Sequence, residues 1–222
     1  MIIGHFAVGF GAKRWVPSLS LGTAFIAVQW ADLLFATLLA LGVERVEVVP
    51  GVTAVTPFDF LRYPFSHSLV AGLAWAALFA AGCLLLRRPK VVAAAVALLV
   101  FSHWLLDWVT HRRDLPLAFG DGEKVGLGLW YSLPGTLAVE LSLFALGVWL
   151  YLRATRARDG VGTWALWGLV AALLAVYFYG IWGPPPPSPA AVAVLGHSIW
   201  LFVAWGYWID RHREARWATA GS

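Results

Sequence analysis

Several stretches of this chain are apolar for about 18 residues or more, the length that a helix needs to cross a membrane. Such runs constrain the fold strongly, because a segment away from water must satisfy its backbone hydrogen bonds internally, as an α-helix does. The composition agrees: 60% of the 222 residues are hydrophobic and 13% are charged, whereas about a quarter of a soluble domain is charged. The sequence therefore predicts an all-α, polytopic membrane helix bundle that forms one integral membrane domain over residues 1–222.

The positions of the apolar runs predict about six transmembrane helices. They are expected at about 18–42, 65–86, 90–110, 133–152, 163–183 and 190–209. The domain then has two halves. Residues 1–115 carry the candidate metal site described below, and residues 130–210 form a half of three helices.

Most of the 16 Lys and Arg residues fall in four short segments. These segments are Lys13-Arg14, RRPK at 87–90, RATRARD at 153–159 and DRHREAR at 210–216. Six spans place all four on one side, which the positive-inside rule makes cytoplasmic. We therefore expect both termini in the cytoplasm and the chain in the cell (inner or plasma) membrane. Topology also accounts for the net charge of +4, so membrane lipids are the expected partners and nucleic acid is not.

The N-terminal residues 2–12 are apolar but too short to span, since about 20 residues are needed. Two placements fit them: a half-helix (re-entrant) inserted among the spans, or an amphipathic helix on the membrane surface. In the first placement the helix reaches about 16 Å from the cytoplasmic surface. His5 would then lie near the middle of the bilayer.

The outer loop at 43–64 contains a helix-start pattern. Thr56 fits an N-cap, Pro57 the first helical position and Asp59 the capping-box position. This pattern predicts a short interfacial helix that leads into Tyr63. The second outer loop, GDGEKVGLGLWYS at 120–132, is rich in glycine and is expected to cover the entrance of the site.

Seven ionisable side chains interrupt the predicted spans or lie at their ends. They are Asp32, His67, His103, Asp107, His111, Glu140 and His197. A charged side chain at the centre of a membrane helix costs about 2.5–3.5 kcal/mol on insertion scales, so each needs a partner or a function. The expected orientation places all seven in the outer half of the membrane or at its middle.

His103 and Asp107 are one helical turn apart and project from one face of one helix. Nitrogen and oxygen ligands at this spacing suit a divalent cation of the zinc type. Asp32 and His67 are candidates for the third and fourth ligands, and His5 for a fifth. The alternative is a His–Asp pair that only hydrogen-bonds between helices, but the convergence of several such residues at similar depth favours the metal.

The other polar side chains have less specific assignments. Glu140 and His111 are the candidate catalytic acid or base. Glu140 also fits a partner of the metal ligands, or a protonated carboxyl that bonds between helices. His197 is interpreted as a packed, hydrogen-bonded histidine.

Four segments of the chain are similar to motifs of a known family. They are GHFAVGFGAKR at 4–14, QWADLL at 29–34, YPFSHSL at 63–69 and SHWLLDWVTH at 102–111. In order and spacing they resemble the YdjM-like family of membrane-bound, metal-dependent hydrolases, over about the first 115 residues. The family pattern has an early Gly-His, then Pro-Asp-x-Asp-His, Thr-His-Ser, and His-x-x-x-Asp with a following threonine. The resemblance implies that the metal ligands are His5, Asp32, His67, His103 and Asp107, with Thr110 after them.

The chain departs from this pattern at two elements. Only Asp32 remains of Pro-Asp-x-Asp-His, because Leu33 and Leu34 follow it, and Ser66 replaces the threonine of Thr-His-Ser. One metal ion, or a site without catalysis, fits these departures better than two metal ions.

The resemblance implies hydrolysis of an ester or phosphoester with metal-activated water. The position of the site near the outer leaflet suggests a lipid or lipid-linked substrate. Two alternatives remain: a proton- or metal-translocating transporter, and a non-catalytic scaffold with a structural metal or His–Asp cluster. A transporter needs polar groups along a path to both faces, and the predicted cytoplasmic halves of the spans contain almost none.

Overall fold

A computed structural model describes residues 1–120 and 122–216, and most of these residues are helical. The helices are α1 (Ile3–Ala12), α2 (Leu21–Ala40), α3 (Pro64–His67), α4 (Leu69–Leu85), α5 (Lys90–Thr110), α6 (Leu133–Ala154), α7 (Gly160–Trp182), α8 (Pro189–His197) and α9 (Ile199–His212). Five of the described segments are long and apolar enough to cross a membrane: α2, α5, α6, α7, and α8 with α9 taken together. The expectation of a polytopic helix bundle is confirmed at this level.

The predicted span at 65–86 differs from the other five. It is divided into α3 and α4, which meet at Ser68, whose hydroxyl caps α4 by accepting from the Ala71 N–H at 3.1 Å. The 17 residues of α4 give a helix of about 26 Å, slightly shorter than a typical hydrocarbon core. A count of six spans therefore stays a prediction.

The N-terminal helix α1 is inserted in the bundle, and the alternative of a surface helix is wrong. Ile3, Phe6 and Phe10 are almost completely buried in a hydrophobic cluster with residues of α2, α6, α7 and α9. A Cβ atom at Gly147 of α6 would lie 2.3 Å from the carbonyl oxygen of Ala7. Only glycine at that position allows α1 to approach α6 so closely, and this approach carries His5 into the protein.

The described connections form three two-stranded antiparallel sheets: β1 (Arg45–Val48) with β2 (Phe58–Arg62), β3 (Leu115–Pro116) with β4 (Lys124–Val125), and β5 (Thr155–Ala157) with β6 (Arg213–Ala215). The helix expected to start at Thr56 is wrong, because Phe58 to Arg62 form a strand. Phe58 and Phe60 alternate along it and pack on one hydrophobic cluster, the period of a strand. Asp121 of the second outer loop lies outside the described residues.

The β5–β6 pair joins two segments that are distant in the sequence. Arg156 lies opposite Glu214, so the basic segments at 153–159 and 210–216 are neighbours at one end of the bundle. The main hydrophobic cluster also crosses the chain, since Phe6 and Phe10 of α1 pack with Phe144 of α6. Residues 1–115 and 130–210 therefore share one core.

Candidate metal centre

The structure brings all five predicted metal ligands together, on four helices. They are His5 on α1, Asp32 on α2, His67 at the end of α3, and His103 and Asp107 on α5. We call these five residues the inner cluster. Ligand atoms of His5, His103 and Asp107 lie within 4.8 Å of one another, and so do those of Asp32, His67 and His103. A buried group of this composition can hold a metal ion.

Each of two imidazole nitrogens lies 3.0–3.8 Å from the same two carboxylate oxygens, a range that includes the nitrogen–oxygen separation around a tetrahedral zinc ion. The Nε2 atom of His67 lies 3.4 Å from Asp32 Oδ1 and 3.6 Å from Asp107 Oδ2. The Nε2 atom of His103 lies 3.8 Å and 3.0 Å from the same two oxygens. Ligands held tetrahedrally at about 2.0–2.1 Å from zinc are roughly 3.3–3.4 Å apart, near the middle of this range.

The hydrogen bonds of His103 direct an unprotonated nitrogen toward these carboxylates. Its Nδ1 atom lies 2.7 Å from the carbonyl oxygen of Val28, which only accepts, so Nδ1 carries the proton of the neutral ring. Its Nε2 atom is buried and has no hydrogen-bond partner among the described residues, because its approach to Asp107 lacks hydrogen-bond geometry. A lone pair that faces carboxylate oxygens is stabilised by a cation between them.

His67 is held in the same tautomer by a buried relay. The Ser66 hydroxyl donates to Glu44 Oε2 at 2.6 Å and lies 2.7 Å from His67 Nδ1. Since the hydroxyl has one proton, the second contact is donated by His67 from Nδ1. The backbone N–H groups of Phe65 and Ser66 donate to Glu44 Oε1 at 2.8 and 3.0 Å, which fixes the carboxylate. Histidines that bind metals typically have such a partner on the other ring nitrogen.

His5 reaches the inner cluster through the other oxygen of Asp107. Its Nε2 atom lies 3.1 Å from Asp107 Oδ1, and its ring stacks on that of His103 with centroids 3.7 Å apart. The amino group of Met1 donates to the same oxygen at 2.9 Å. In this structure His5 is a hydrogen-bond partner of Asp107, and its role as a fifth ligand stays a prediction.

The inner cluster is open on one side only. The side chains of His5, His67, His103 and Asp107 are at most 3% exposed, whereas that of Asp32 is 33% exposed. Asp32 is therefore the residue of the inner cluster that is most accessible to a ligand from outside.

Glu140, a candidate catalytic residue, contacts the start of α1. Its Oε2 atom accepts from the Gly4 N–H at 3.3 Å, and the N–H groups of Ile2 and Ile3 also face the carboxylate. The N-terminus of a helix has unpaired N–H groups and a partial positive charge, so a buried carboxylate there stabilises it. These contacts favour a role in positioning α1, which the sequence did not indicate; a catalytic role stays a prediction.

His111, the other catalytic candidate, belongs to a second group of polar residues. Its Nδ1 atom lies 3.0 Å from Asp114 Oδ1 and 3.2 Å from the Tyr63 hydroxyl. Arg112 donates to Asp114 Oδ2 at 3.0 Å and also to Asp59, which joins the two outer loops. We call Asp59, Tyr63, His111, Arg112 and Asp114 the outer cluster. The ring of Tyr63 lies between His111 and His67, with centroids 5.9 and 5.3 Å away.

The outer cluster has perturbed pKa values with clear causes. Burial, together with the carboxylates of Asp114 and Asp107, raises the pKa of Tyr63 well above its ordinary value. Burial alone would raise the pKa of Asp114, but hydrogen bonds from His111 and Arg112 outweigh it and lower that pKa. At neutral pH the cluster therefore pairs a protonated tyrosine with an ionised aspartate. Trp130 covers His111, with ring centroids 4.3 Å apart, so the 120–132 loop packs on the outer cluster.

Two functional candidates were missed in the sequence. Glu44 lies in an outer loop, yet it is completely buried behind Ser66 and His67. Tyr63, where the expected interfacial helix was to end, is buried in the outer cluster instead. Ser66 was a usable signal for a buried acceptor such as Glu44, because a hydroxyl that accepts a hydrogen bond from His67 needs an acceptor for its own proton. His197 is hydrogen-bonded to Thr37 and to the Ala193 carbonyl, as predicted.

No protein-family model, curated protein or solved structure matches this chain.

Proposed function

We propose that this protein is a membrane-embedded, metal-dependent hydrolase that holds zinc in the inner cluster. One observation carries the proposal: His67 and His103 both direct Nε2, the nitrogen without a proton, at the carboxylates of Asp32 and Asp107. Hydrogen bonds alone do not account for this arrangement, since His103 Nε2 has no hydrogen-bond partner among the described residues. A divalent cation satisfies both nitrogens and both carboxylates at once.

The residues present fit zinc in number and type. Two imidazoles and two carboxylates are ligands that zinc accepts, and their nitrogen–oxygen separations of 3.0–3.8 Å are close to those around a tetrahedral ion. When bound, the metal supplies Lewis-acid chemistry and activates water for attack on an ester or phosphoester. The chain supplies the rest: Val28 and the Ser66–Glu44 pair orient the two histidines, and the buried walls exclude bulk water.

A structural metal centre is the second candidate, because four of the five side chains of the inner cluster are almost completely buried. Structural zinc sites are closed, whereas catalytic sites keep a position open to solvent or substrate. Asp32 is one-third exposed, and a small cavity reaches His67 and His103. These two features favour catalysis.

The proposal includes a position in the membrane. With six spans, both termini in the cytoplasm and the chain in the inner or plasma membrane, α5 runs outward. His103 and Asp107 then lie in the outer half of the bilayer, which favours a lipid or lipid-linked substrate. The proximity of the basic segments at 153–159 and 210–216 supports this orientation, since the positive-inside rule requires them on one side. Membership of the YdjM-like family is part of the same proposal.

The first experiment is metal content, measured by mass spectrometry on protein purified in detergent without chelators. We expect about one zinc ion per chain in the wild type, and a loss of metal in His103→Ala and Asp107→Asn. The matched control is His197→Ala, which removes another helix histidine whose two nitrogens are already hydrogen-bonded, and it should keep the metal.

The outcomes separate the candidates. Equal metal content in His103→Ala and His197→Ala would contradict the site. Stoichiometric zinc without turnover, in a screen of lipid esters and phosphoesters, would favour the structural centre. Loss of turnover in Glu140→Gln with metal retained would make Glu140 catalytic, against the positioning role favoured by its contacts with α1.

A further inference from the structure

A cavity beside the inner cluster is lined by three tryptophans. Trp30 of α2, Trp75 of α4 and Trp104 of α5 surround it, and His67 and His103 form its inner wall. The cavity has a volume of about 10 Å³, which is the room that one water molecule or one ligand oxygen needs. The cavity is therefore placed and sized for a single polar atom next to the two histidines.

Two of these tryptophans have buried N–H groups without an acceptor. The Nε1 atoms of Trp30 and Trp104 have no hydrogen-bond partner among the residues that the structure describes. Trp104 as a whole is 9% exposed, so bulk water does not hydrate its indole. Buried polar groups in native proteins are nearly always paired, and an exception requires an explanation.

The third tryptophan, Trp75, has an indole N–H group that is paired. Trp75 lines the same cavity, but its Nε1–H donates to the carbonyl oxygen of Phe65 at 3.1 Å. The environment is thus able to pair an indole with the backbone, and it leaves Trp30 and Trp104 unpaired.

We propose that the N–H groups of Trp30 and Trp104 form a two-donor subsite for the substrate oxygen on which negative charge develops during hydrolysis. This inference rests on the proposed function, because the metal fixes which bond is cleaved. Indole only donates, so the subsite selects an acceptor and rejects a cation. Donors that are fixed in a dry site stabilise a developing oxyanion strongly.

The remaining walls indicate what surrounds that oxygen. Ala31, Ser66, Gly72 and Val100 complete the lining and offer no charged group to a free, hydrated anion. The one hydroxyl among them, that of Ser66, already donates its proton to Glu44. Apolar walls around a few placed donors are typical of sites for a largely apolar ligand. The subsite therefore fits the carbonyl or phosphoryl oxygen of an ester whose neighbouring atoms are hydrocarbon.

Azide, a small acceptor anion, tests the subsite without any need for turnover. It is titrated into cobalt-loaded protein, and the visible absorption of cobalt reports its binding. We expect Trp30→Phe and Trp104→Phe, made separately, each to weaken azide binding about tenfold, as loss of a hydrogen bond to a charged group does. Trp75→Phe is the matched control: it changes the same cavity wall but removes an N–H that is already paired, so its azide affinity should stay within about twofold of wild type.

Cobalt content, measured first for each protein, separates the two proposals. Cobalt that binds normally with equal azide affinity in wild type, Trp30→Phe and Trp104→Phe would overturn the subsite and leave the metal site intact. An equal loss in Trp75→Phe would also overturn it, because the cavity shape rather than the donors would then be responsible. If the wild-type protein binds no cobalt, the proposed metal-dependent function is contradicted, and the proposed subsite is contradicted with it.

Discussion

The inner and outer clusters are built from the same kinds of side chain, a few ångströms apart, yet their hydrogen bonds differ. In the outer cluster His111 pairs with Asp114, and Arg112 bridges Asp114 and Asp59. In the inner cluster the neutral ring of His103 donates its proton from Nδ1 to the Val28 carbonyl. Its Nε2 atom faces Asp107 and has no hydrogen-bond partner among the described residues. The polar groups of the outer cluster are paired with one another, whereas a buried nitrogen of the inner cluster has no hydrogen-bond partner among the described residues. The cation that we propose would satisfy that nitrogen.

This difference indicates what would distinguish the metal site that we propose for the inner cluster from a buried polar network. Residue types do not distinguish the two clusters, and spacing does so little, since His111 and Asp114 are three residues apart and His103 and Asp107 are four. The clusters are distinguished by the direction of the histidine lone pair, which is set by the hydrogen-bond partner of the other ring nitrogen. That partner is a backbone carbonyl for His103 and a serine for His67.

The largest expected effect comes from exchanging one carboxylate for an amide in each cluster. Saturating zinc should raise the Tm of the wild type, because a ligand at about 1,000 times its Kd adds roughly 4 kcal/mol. Asp107→Asn should abolish this rise, since the carboxylate charge and one ligand are lost. Asp114→Asn should keep the full rise, although its Tm without zinc is lower. Thermal unfolding in detergent, with and without zinc, measures both variants.

Equal zinc-induced changes in Tm for Asp107→Asn and Asp114→Asn would contradict the proposed difference between the two clusters. A zinc-induced rise that survives in Asp107→Asn would mean that zinc binds elsewhere. A rise that is lost in Asp114→Asn would mean that the outer cluster also takes part in metal binding.

A smaller effect is expected for the residues that orient His67. Ser66→Ala leaves the His67 Nδ1–H without an acceptor, and Glu44→Gln weakens the acceptor behind it. Loss of such a partner typically lowers metal affinity about 10–100-fold, and competition with a zinc indicator measures it. Ser102→Ala is the matched control, because Ser102 lies beside His103 but its hydroxyl donates to the Leu99 carbonyl at 2.7 Å. Equal affinities in Ser66→Ala and Ser102→Ala would contradict the relay.

Much of the fold followed from the lengths of the apolar runs, because a helix that crosses a membrane needs about 20 mostly apolar residues. Five of the six expected spans correspond to long apolar helices, but the span at 65–86 is broken at Ser68. A hydropathy average over the whole apolar run does not register a single serine. The capping pattern at Thr56 predicted a helix where Phe58–Arg62 form a strand, because Phe58 and Phe60 gain more from packing together on one hydrophobic cluster.

The candidate site was predictable where its residues share a helix, and less so where they meet across helices. His103 and Asp107 follow from their spacing. The insertion of α1 depends on the close approach of Ala7 to Gly147, a packing detail that no local pattern encodes. The same holds for Glu44, whose burial behind Ser66 depends on how a loop folds back.

Replacing Glu140 should affect stability more than metal binding. Glu140→Ala removes the acceptor for the N–H groups at the start of α1, and loss of a helix cap costs about 0.5–2 kcal/mol. Glu140→Gln keeps an acceptor and should cost less. Chemical denaturation of the two variants measures the difference, and metal content serves as the second measurement. A Glu140→Gln variant as unstable as Glu140→Ala would show that the charge, rather than the hydrogen bond, stabilises α1.

An effect of similar size is expected from the pH dependence of the outer cluster. The pKa of Asp114 is lowered in the folded state, whereas an unfolded aspartate has a pKa of about 3.9. The ionised carboxylate therefore stabilises the fold above that unfolded value, and the contribution is lost as the pH falls through the lower, folded pKa. At pH 7 the wild type should be more stable than Asp114→Asn by about 1–2 kcal/mol, the scale of a charged hydrogen bond. The gap should narrow below about pH 4, where the unfolded chain becomes protonated. A gap that stays constant from pH 7 to pH 3 would mean that packing, and not the charge on Asp114, holds the outer loops together.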